Sequence, residues 1–287
     1  MYKRILVATG GSPWSDAAVA YAVALSAKVG AELRILTVLV GPMTYTMPDV
    51  MSSSELLVES IERQGQALLV QAAARAAQVG VVHSTHIKWG NVTEAILQTA
   101  AEEECDLIVV GSRLVSGFKR LMVGRTVNAV AAKAPQPVLV VKAPPAAHDD
   151  PALRRLLVAT GGSPWSDAAV EHALRLARAQ HLEVCLLHVT PEASSQDTLD
   201  AAADKHGVLA LAEARAAAAG VPYELHLARG HVVAAILETA QRRQCDAIVL
   251  GTRGLTGWKR LMIGSISNAV TAKAPQPVLI VKRFLYA

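Results

Sequence analysis

The residues best suited to chemistry lie near the carboxyl end of the chain. They run Gly251-Thr252-Arg253-Gly254, then nine residues, then Gly264-Ser265. Gly251 ends an apolar run that reads as a strand, and Gly264-Ser265 opens a stretch that reads as a helix. Glycines let a backbone approach a phosphate closely. A helix start offers unpaired N–H groups and the positive end of a dipole. Ser265 and Ser267 add hydroxyl donors, so the segment has the parts of an anion cradle. It is neither a Walker A loop nor a GxGxxG fingerprint, because no Gly-Lys-Ser/Thr follows the last glycine and the spacing differs. Glycines at this spacing also serve as plain turn punctuation.

Other chemistry is thinly represented. Phosphoryl transfer needs a metal and a group that orients the nucleophile, and the matched segments carry no carboxylate for either role, so no catalytic residue is assigned. His83 and His86 are three apart on a predicted strand and face opposite sides, which argues against a shared metal. No metal ligand is assigned. Cys105, Cys185 and Cys245 read as small buried fillers. Trp14 and Trp165 read as packing over their own helix starts, His188 as a strand-end histidine, and Lys119-Arg120 and Lys259-Arg260 as solvated pairs.

These residues sit on a regular alternation. Ile5–Thr9 is a continuous apolar run, as in a strand buried on both faces. Ser12 or Ser15 caps a helix through Val29 with Pro13 in its first turn. Leu33–Leu39 is a second strand, Glu55–Val79 a long helix ending at Gly80, and Val81–Ile87 a third strand. A helix capped by Asn91 reaches Glu104, followed by a strand at Asp106–Val110, a helix at Thr126–Lys133 and a strand at Pro137–Val141. Strands alternating with helices imply a parallel sheet covered on both faces.

The alternation is written twice. Leu6–Val19 and Leu157–Val170 are identical over fourteen residues, and Gly111–Lys142 matches Gly251–Lys282 at 21 of 32 positions. The offset falls from 151 to 140, so the first half holds eleven extra residues, placed around Gly41–Ser54. That insert has three methionines and reads as an adaptable flap or a contact for a protein partner. Three prolines mark a linker at 143–151, leaving domains at 1–142 and 152–287. The apolar fifth strands Pro137–Lys142 and Pro277–Lys282 are expected to pair with each other across a pseudo-two-fold axis, leaving a monomer or a weak homodimer.

Composition narrows the class. The chain of 287 residues is 52% hydrophobic and 18% charged, which excludes disorder. The net charge of +4 is spread without a basic run, so no nucleic-acid partner is expected. No apolar stretch suits a membrane span, and Ile5–Ala8 is too short for a signal-peptide core. Three cysteines make no disulfide framework, and a cytoplasmic location is expected.

The segment from Gly251 to Lys282 resembles the carboxyl-terminal signature of the universal stress protein family, whose nucleotide-binding members carry Gly-x2-Gly-x9-Gly-Ser/Thr. Gly251, Gly254, Gly264 and Ser265 match at every position. The resemblance covers both halves and implies two five-stranded α/β domains, each with strand order 3-2-1-4-5. It implies ATP held between strands one and four, with phosphates at Gly254, Gly264, Ser265 and Ser267 and adenosine near Thr160, Gly161 and Val189. Relatives that bind ATP carry Asp-Gly-Ser after strand one; this chain has Thr9-Gly10-Gly11-Ser12 and Thr160-Gly161-Gly162-Ser163, which leaves the need for Mg open. In the first half Leu114, Arg125 and Val127 replace Gly254, Ser265 and Ser267, and that half reads as a degenerate partner. The expected function is ATP-dependent stress signalling through conformation or partner binding. The alternatives are a slow ATPase or phosphotransferase, and a scaffold without nucleotide.

Overall fold

The structure is a computed structural model and describes residues 2–41, 51–113, 124–142, 153–190, 200–252 and 264–282. The first half runs β1 (Arg4–Thr9), α1 (Pro13–Val29), β2 (Glu32–Leu39), α2 (Met51–Gln78), β3 (His83–Trp89), α3 (Val92–Glu102), β4 (Leu107–Gly111), α4 (Arg125–Lys133) and β5 (Val138–Val141). The second repeats it with β6 (Arg155–Ala159), α5 (Pro164–Gln180), β7 (Glu183–Thr190), α6 (Asp200–Ala219), β8 (Tyr223–Arg229), α7 (Val232–Arg242), β9 (Ala247–Thr252), α8 (Ser265–Lys273) and β10 (Val278–Lys282).

The sheet order is β3-β2-β1-β4-β5-β10-β9-β6-β7-β8, so each half has the expected 3-2-1-4-5 arrangement. Pairing is parallel within each half. The junction is antiparallel, with Val278 opposite Val140, Leu279 opposite Leu139 and Ile280 opposite Val138. The two fifth strands thus pair as expected, and an apolar edge that would otherwise invite association is covered within one chain.

Two cores lie on the two faces of this sheet. One packs α1, α2, α5 and α6 through residues such as Ala18, Leu69, Ala169 and Ala212. The other packs α3, α4, α7 and α8 through Ile96, Val130, Ile236 and Val270. Strand residues alternate between them: Leu139 and Val141 face the first, Val138 and Val140 the second. The first core crosses the junction without a break. There Tyr2 is hydrogen-bonded to His172 Nε2 at 2.6 Å, and Lys28 Nζ donates to the Leu153 carbonyl at 2.8 Å.

Local chemistry explains the element ends. Ser12, not Ser15, is the cap of α1: its side chain accepts from the Ser15 N–H, and Ser15 returns a bond to the cap backbone. Ser163 and Ser166 repeat the box on α5. The Asn91 side chain caps α3 as expected, accepting from Thr93 and Glu94 N–H. Strand β3 starts at His83 rather than Val81, because the Val81 N–H still closes the helix end on the Ala76 carbonyl.

The insert differs from its expectation. Residues 42–50 lie outside the described part, but α2 begins at Met51, inside the proposed loop. With 28 residues against 20 in α6, α2 takes up most of the extra length as added helical turns. Serines can occupy a first turn, where N–H groups lack helical partners anyway.

Candidate functional site

In the second half the chain moves from β6 to β7 and β8 on one side, then returns to β9 on the other. The strand order therefore reverses between β6 and β9, and the crevice at their carboxyl ends is where open α/β sheets bind ligands. Two chain segments line it: the loop after β6, residues Thr160 to Ser163, and the start of α8.

The start of α8 carries no side-chain cap. Gly264 occupies the cap position, and its own N–H donates to Thr252 Oγ1 at 3.1 Å. Ser265 and Ile266 are exposed in the first turn. The N–H groups of a first turn have no helical acceptor, so this end is open to an anion. Ser267 is buried, and its hydroxyl donates to the Gly251 carbonyl at 3.1 Å. That proton ties α8 to β9, which leaves the oxygen lone pairs for any further partner.

Gly251 has a packing reason to be glycine. A β-carbon there would lie 2.0 Å from the Trp165 carbonyl oxygen, and one at Gly111 would lie 2.2 Å from that of Trp14. The first turn of the helix after strand one presses on strand four in both halves. Gly161 and Gly264 differ: a β-carbon at Gly161 meets nothing within 4 Å, and at Gly264 it meets only Thr252 Oγ1 at 3.5 Å. Among the described residues, nothing crowds those two positions. Gly254 lies outside the described residues.

Thr160 is buried, with its hydroxyl 3.4 Å from the Gly162 N–H and 3.5 Å from Ser166 Oγ. Its carbonyl accepts from His188 Nδ1 at 2.8 Å. A carbonyl can only accept, so Nδ1 carries the hydrogen of this bond. In the first half Thr37 Oγ1 does the same work on the Thr9 carbonyl at 3.0 Å. His188 therefore supports the strand-one loop, a role that a strand-end position alone did not reveal. Val189, next in sequence, turns to the opposite face and packs against the α7–α8 core. Thr160, Gly161, Gly251, Gly264, Ser265 and Ser267 all lie at the carboxyl end of the β6–β9 pair, with Val189 near the end of the adjoining β7.

The first half has the same frame with different groups. Gly124 caps α4 without a side-chain bond. Arg125 is exposed at the first position of α4, and Val127 is buried where the second half has Ser267. Trp14 has a partner beyond its helix start, since the Arg113 guanidinium lies 5.2 Å from its ring centre. Leu114 and both basic pairs lie outside the described residues.

Metal chemistry finds little support in the donor set. Among the described residues no cluster of three His, Cys, Asp or Glu is placed to hold an ion. In the α5 first turn Asp167 pairs with Arg215 at 3.3 Å. The loop after β6 offers hydroxyl and backbone groups only. The three cysteines are buried and free; burial pushes the Cys105 thiol up to about 12, which makes it inert. No helix among the described residues is long and apolar enough to cross a membrane.

A doubled α/β half with the strand order reversing between β6 and β9 defines a tandem protein of the open parallel-sheet class. The model of the universal stress protein family matches residues 1–142 and 152–282. The chain belongs to that family. It is 35% identical over 145 residues to universal stress protein YxiE of Bacillus subtilis, covering 45% of this chain and 98% of that protein. A universal stress protein of Mycolicibacterium smegmatis is 27% identical over 291 residues, covering 97% of this chain and 96% of its own. The crystal structure of a universal stress protein from Archaeoglobus fulgidus superposes with a TM-score of 0.73 at 23% identity, covering 98% of both chains. That likeness establishes the shared tandem fold.

Proposed function

We propose that this chain binds one ATP-type nucleotide, in the second half, and acts through the conformation or partner contacts that binding favours. The observation carrying this reading is the open first turn of α8, uncapped at Gly264 and set at the reversal between β6 and β9. Phosphates would lie against Gly254, Gly264, Ser265 and the edge of Ser267. Adenosine would lie by Thr160, Gly161 and Val189. The family's glycine pattern, complete in this half, supports the same placement.

Chemistry on the nucleotide is the weaker alternative. The crevice side chains supply no carboxylate to hold Mg or orient water, so turnover would be slow or absent. A partner surface is available near the insert: Leu56 and Leu57 on the added turns of α2 are 70% and 47% exposed. Two fused halves also remove the edge through which copies would pair, in keeping with a monomer or a weak dimer. The test is mass spectrometry of small molecules released by denaturing freshly purified protein. An adenine nucleotide near one per chain supports the reading. Its absence, with no binding on titration, supports a scaffold instead.

A further inference from the structure

The seam between the halves carries two buried lysines in equivalent places. Lys282, at the end of β10, and Lys142, just past β5, are 4% and 1% exposed. Both follow the strand residues that face the α4–α8 core. Lys282 Nζ donates to the Ala132 and Ala134 carbonyls, each at 2.6 Å. It caps the carboxyl end of α4, a helix of the other half. A cation there also meets the negative end of the helix dipole.

Lys142 is the two-fold mate of Lys282, and Ala272 and Ala274 are the mates of Ala132 and Ala134. Yet Lys142 Nζ is buried without a hydrogen-bond partner. Burial alone lowers its pKa to about 8, with no opposing charge among the causes. At neutral pH it is an ammonium with nothing to hold. Continuing the register of Val140 with Val278 sets Lys142 opposite Gln276, whose Oε1 is also unpaired. Gln136 Oε1 shares that condition, so the distinguishing group is the lysine. Helix α8 is under-satisfied as well: Asn268 Oδ1 and Thr271 Oγ1 are buried without partners. Thr271 stands where the first half has Ala131.

Buried polar groups rarely stay unpaired in a settled arrangement. Two such groups on α8, Asn268 and Thr271, accompany the lysine that should cap that helix. Resting on the nucleotide reading above, we propose that Lys142 is the cross-domain cap of α8, disengaged in this structure, and that it takes the Ala272 and Ala274 carbonyls when a nucleotide binds at the other end of α8. Nine residues make a rigid rod of about 13 Å. A shift that closes its first turn on phosphate must move its last turn at the seam. Each ligand of the helix then favours the position that suits the other, which is a coupling between the crevice and the seam. The same device is already set on α4, so only the second half would respond.

The test is ATP titration calorimetry on the full chain, with Lys142→Met and Lys282→Met alongside, and side-chain nitrogen NMR of the lysines. Loss of a charge at a helix end corresponds to about a two- to fivefold loss of affinity. The expected result is that loss for Lys142→Met and no change for Lys282→Met. Unchanged affinity in Lys142→Met overturns the coupling and leaves the nucleotide reading standing. No binding by the unaltered chain overturns both. If Lys142→Met does not fold, NMR of the unaltered chain decides. Adding ATP should shift the Lys142 side-chain nitrogen signal and slow exchange of its ammonium protons, as expected for a newly hydrogen-bonded group, while the Lys282 signal stays put; an unmoved Lys142 signal overturns the proposal.

Discussion

Lys282 Nζ lies 2.6 Å from the Ala134 carbonyl, so the last strand of the second half ends by capping the last helix of the first. The bond spans 148 residues of sequence. It closes a junction that is otherwise apolar, built on β5, β10 and the helices beside them. Removing it should therefore weaken the whole chain rather than one half. Lys282→Met is expected to cost about 1–3 kcal/mol, the range for bonds to a charged group. Lys142→Met removes an unpaired buried charge and should leave stability unchanged or raise it. Denaturant melts of both variants check the contrast.

The same lysines set an alkaline trend. Burial lowers both from 10.5 to about 8. Between those values the unfolded chain binds more protons than the folded one, so stability rises with pH. The burial penalty is present in full below about pH 8 and is relieved toward pH 10.5. Denaturation midpoints should rise across that window in the unaltered chain, and less in Lys142→Met.

His172 sets an acid trend. Burial first, and the Arg175 charge second, lower it from 6.5 to about 3. Below pH 6.5 the unfolded chain takes up a proton that the folded one refuses, so stability falls as the pH drops toward 3. The slope from this residue approaches about 1.4 kcal/mol per pH unit. His172→Tyr copies its first-half counterpart, Tyr21, and should flatten the slope in urea titrations at several pH values.

The glycines should separate by role. Gly251→Ala puts a β-carbon 2.0 Å from the Trp165 carbonyl and should destabilise the second half by about 1–3 kcal/mol or more. Gly111→Ala should do the same in the first. Gly161→Ala and Gly264→Ala meet open space or ordinary contact. They should melt like the unaltered chain and change ligand binding alone.

The repeat, the alternation and the pairing of the fifth strands were legible because each rests on local pattern. Identical segments 151 residues apart must fold alike, and an apolar fifth strand needs a partner. The Asn91 cap was legible for the same reason, and the α1 cap was narrowed to Ser12 or Ser15. The insert was misread because its serines suggest a loop, while α2 simply starts earlier at Met51. Gly251 reads in sequence as part of a phosphate motif, yet its packing role depends on Trp165, eighty-six positions away and brought near only by the fold. The lysine caps were hidden too. Lys142 and Lys282 end apolar strands, and no local pattern shows that antiparallel pairing buries them at the seam.

The central claim is one nucleotide per chain, in the second half, and calorimetric stoichiometry tests it most directly. Titrating ATP into the unaltered chain should give one site. Gly254→Leu, which copies the first half's Leu114, should weaken that site by roughly 10- to 150-fold, the worth of a lost bond to a charged group. Leu114→Gly with Arg125→Ser and Val127→Ser should add a second site. Two equal sites in the unaltered chain would contradict the asymmetry, and full affinity in Gly254→Leu would contradict the cradle.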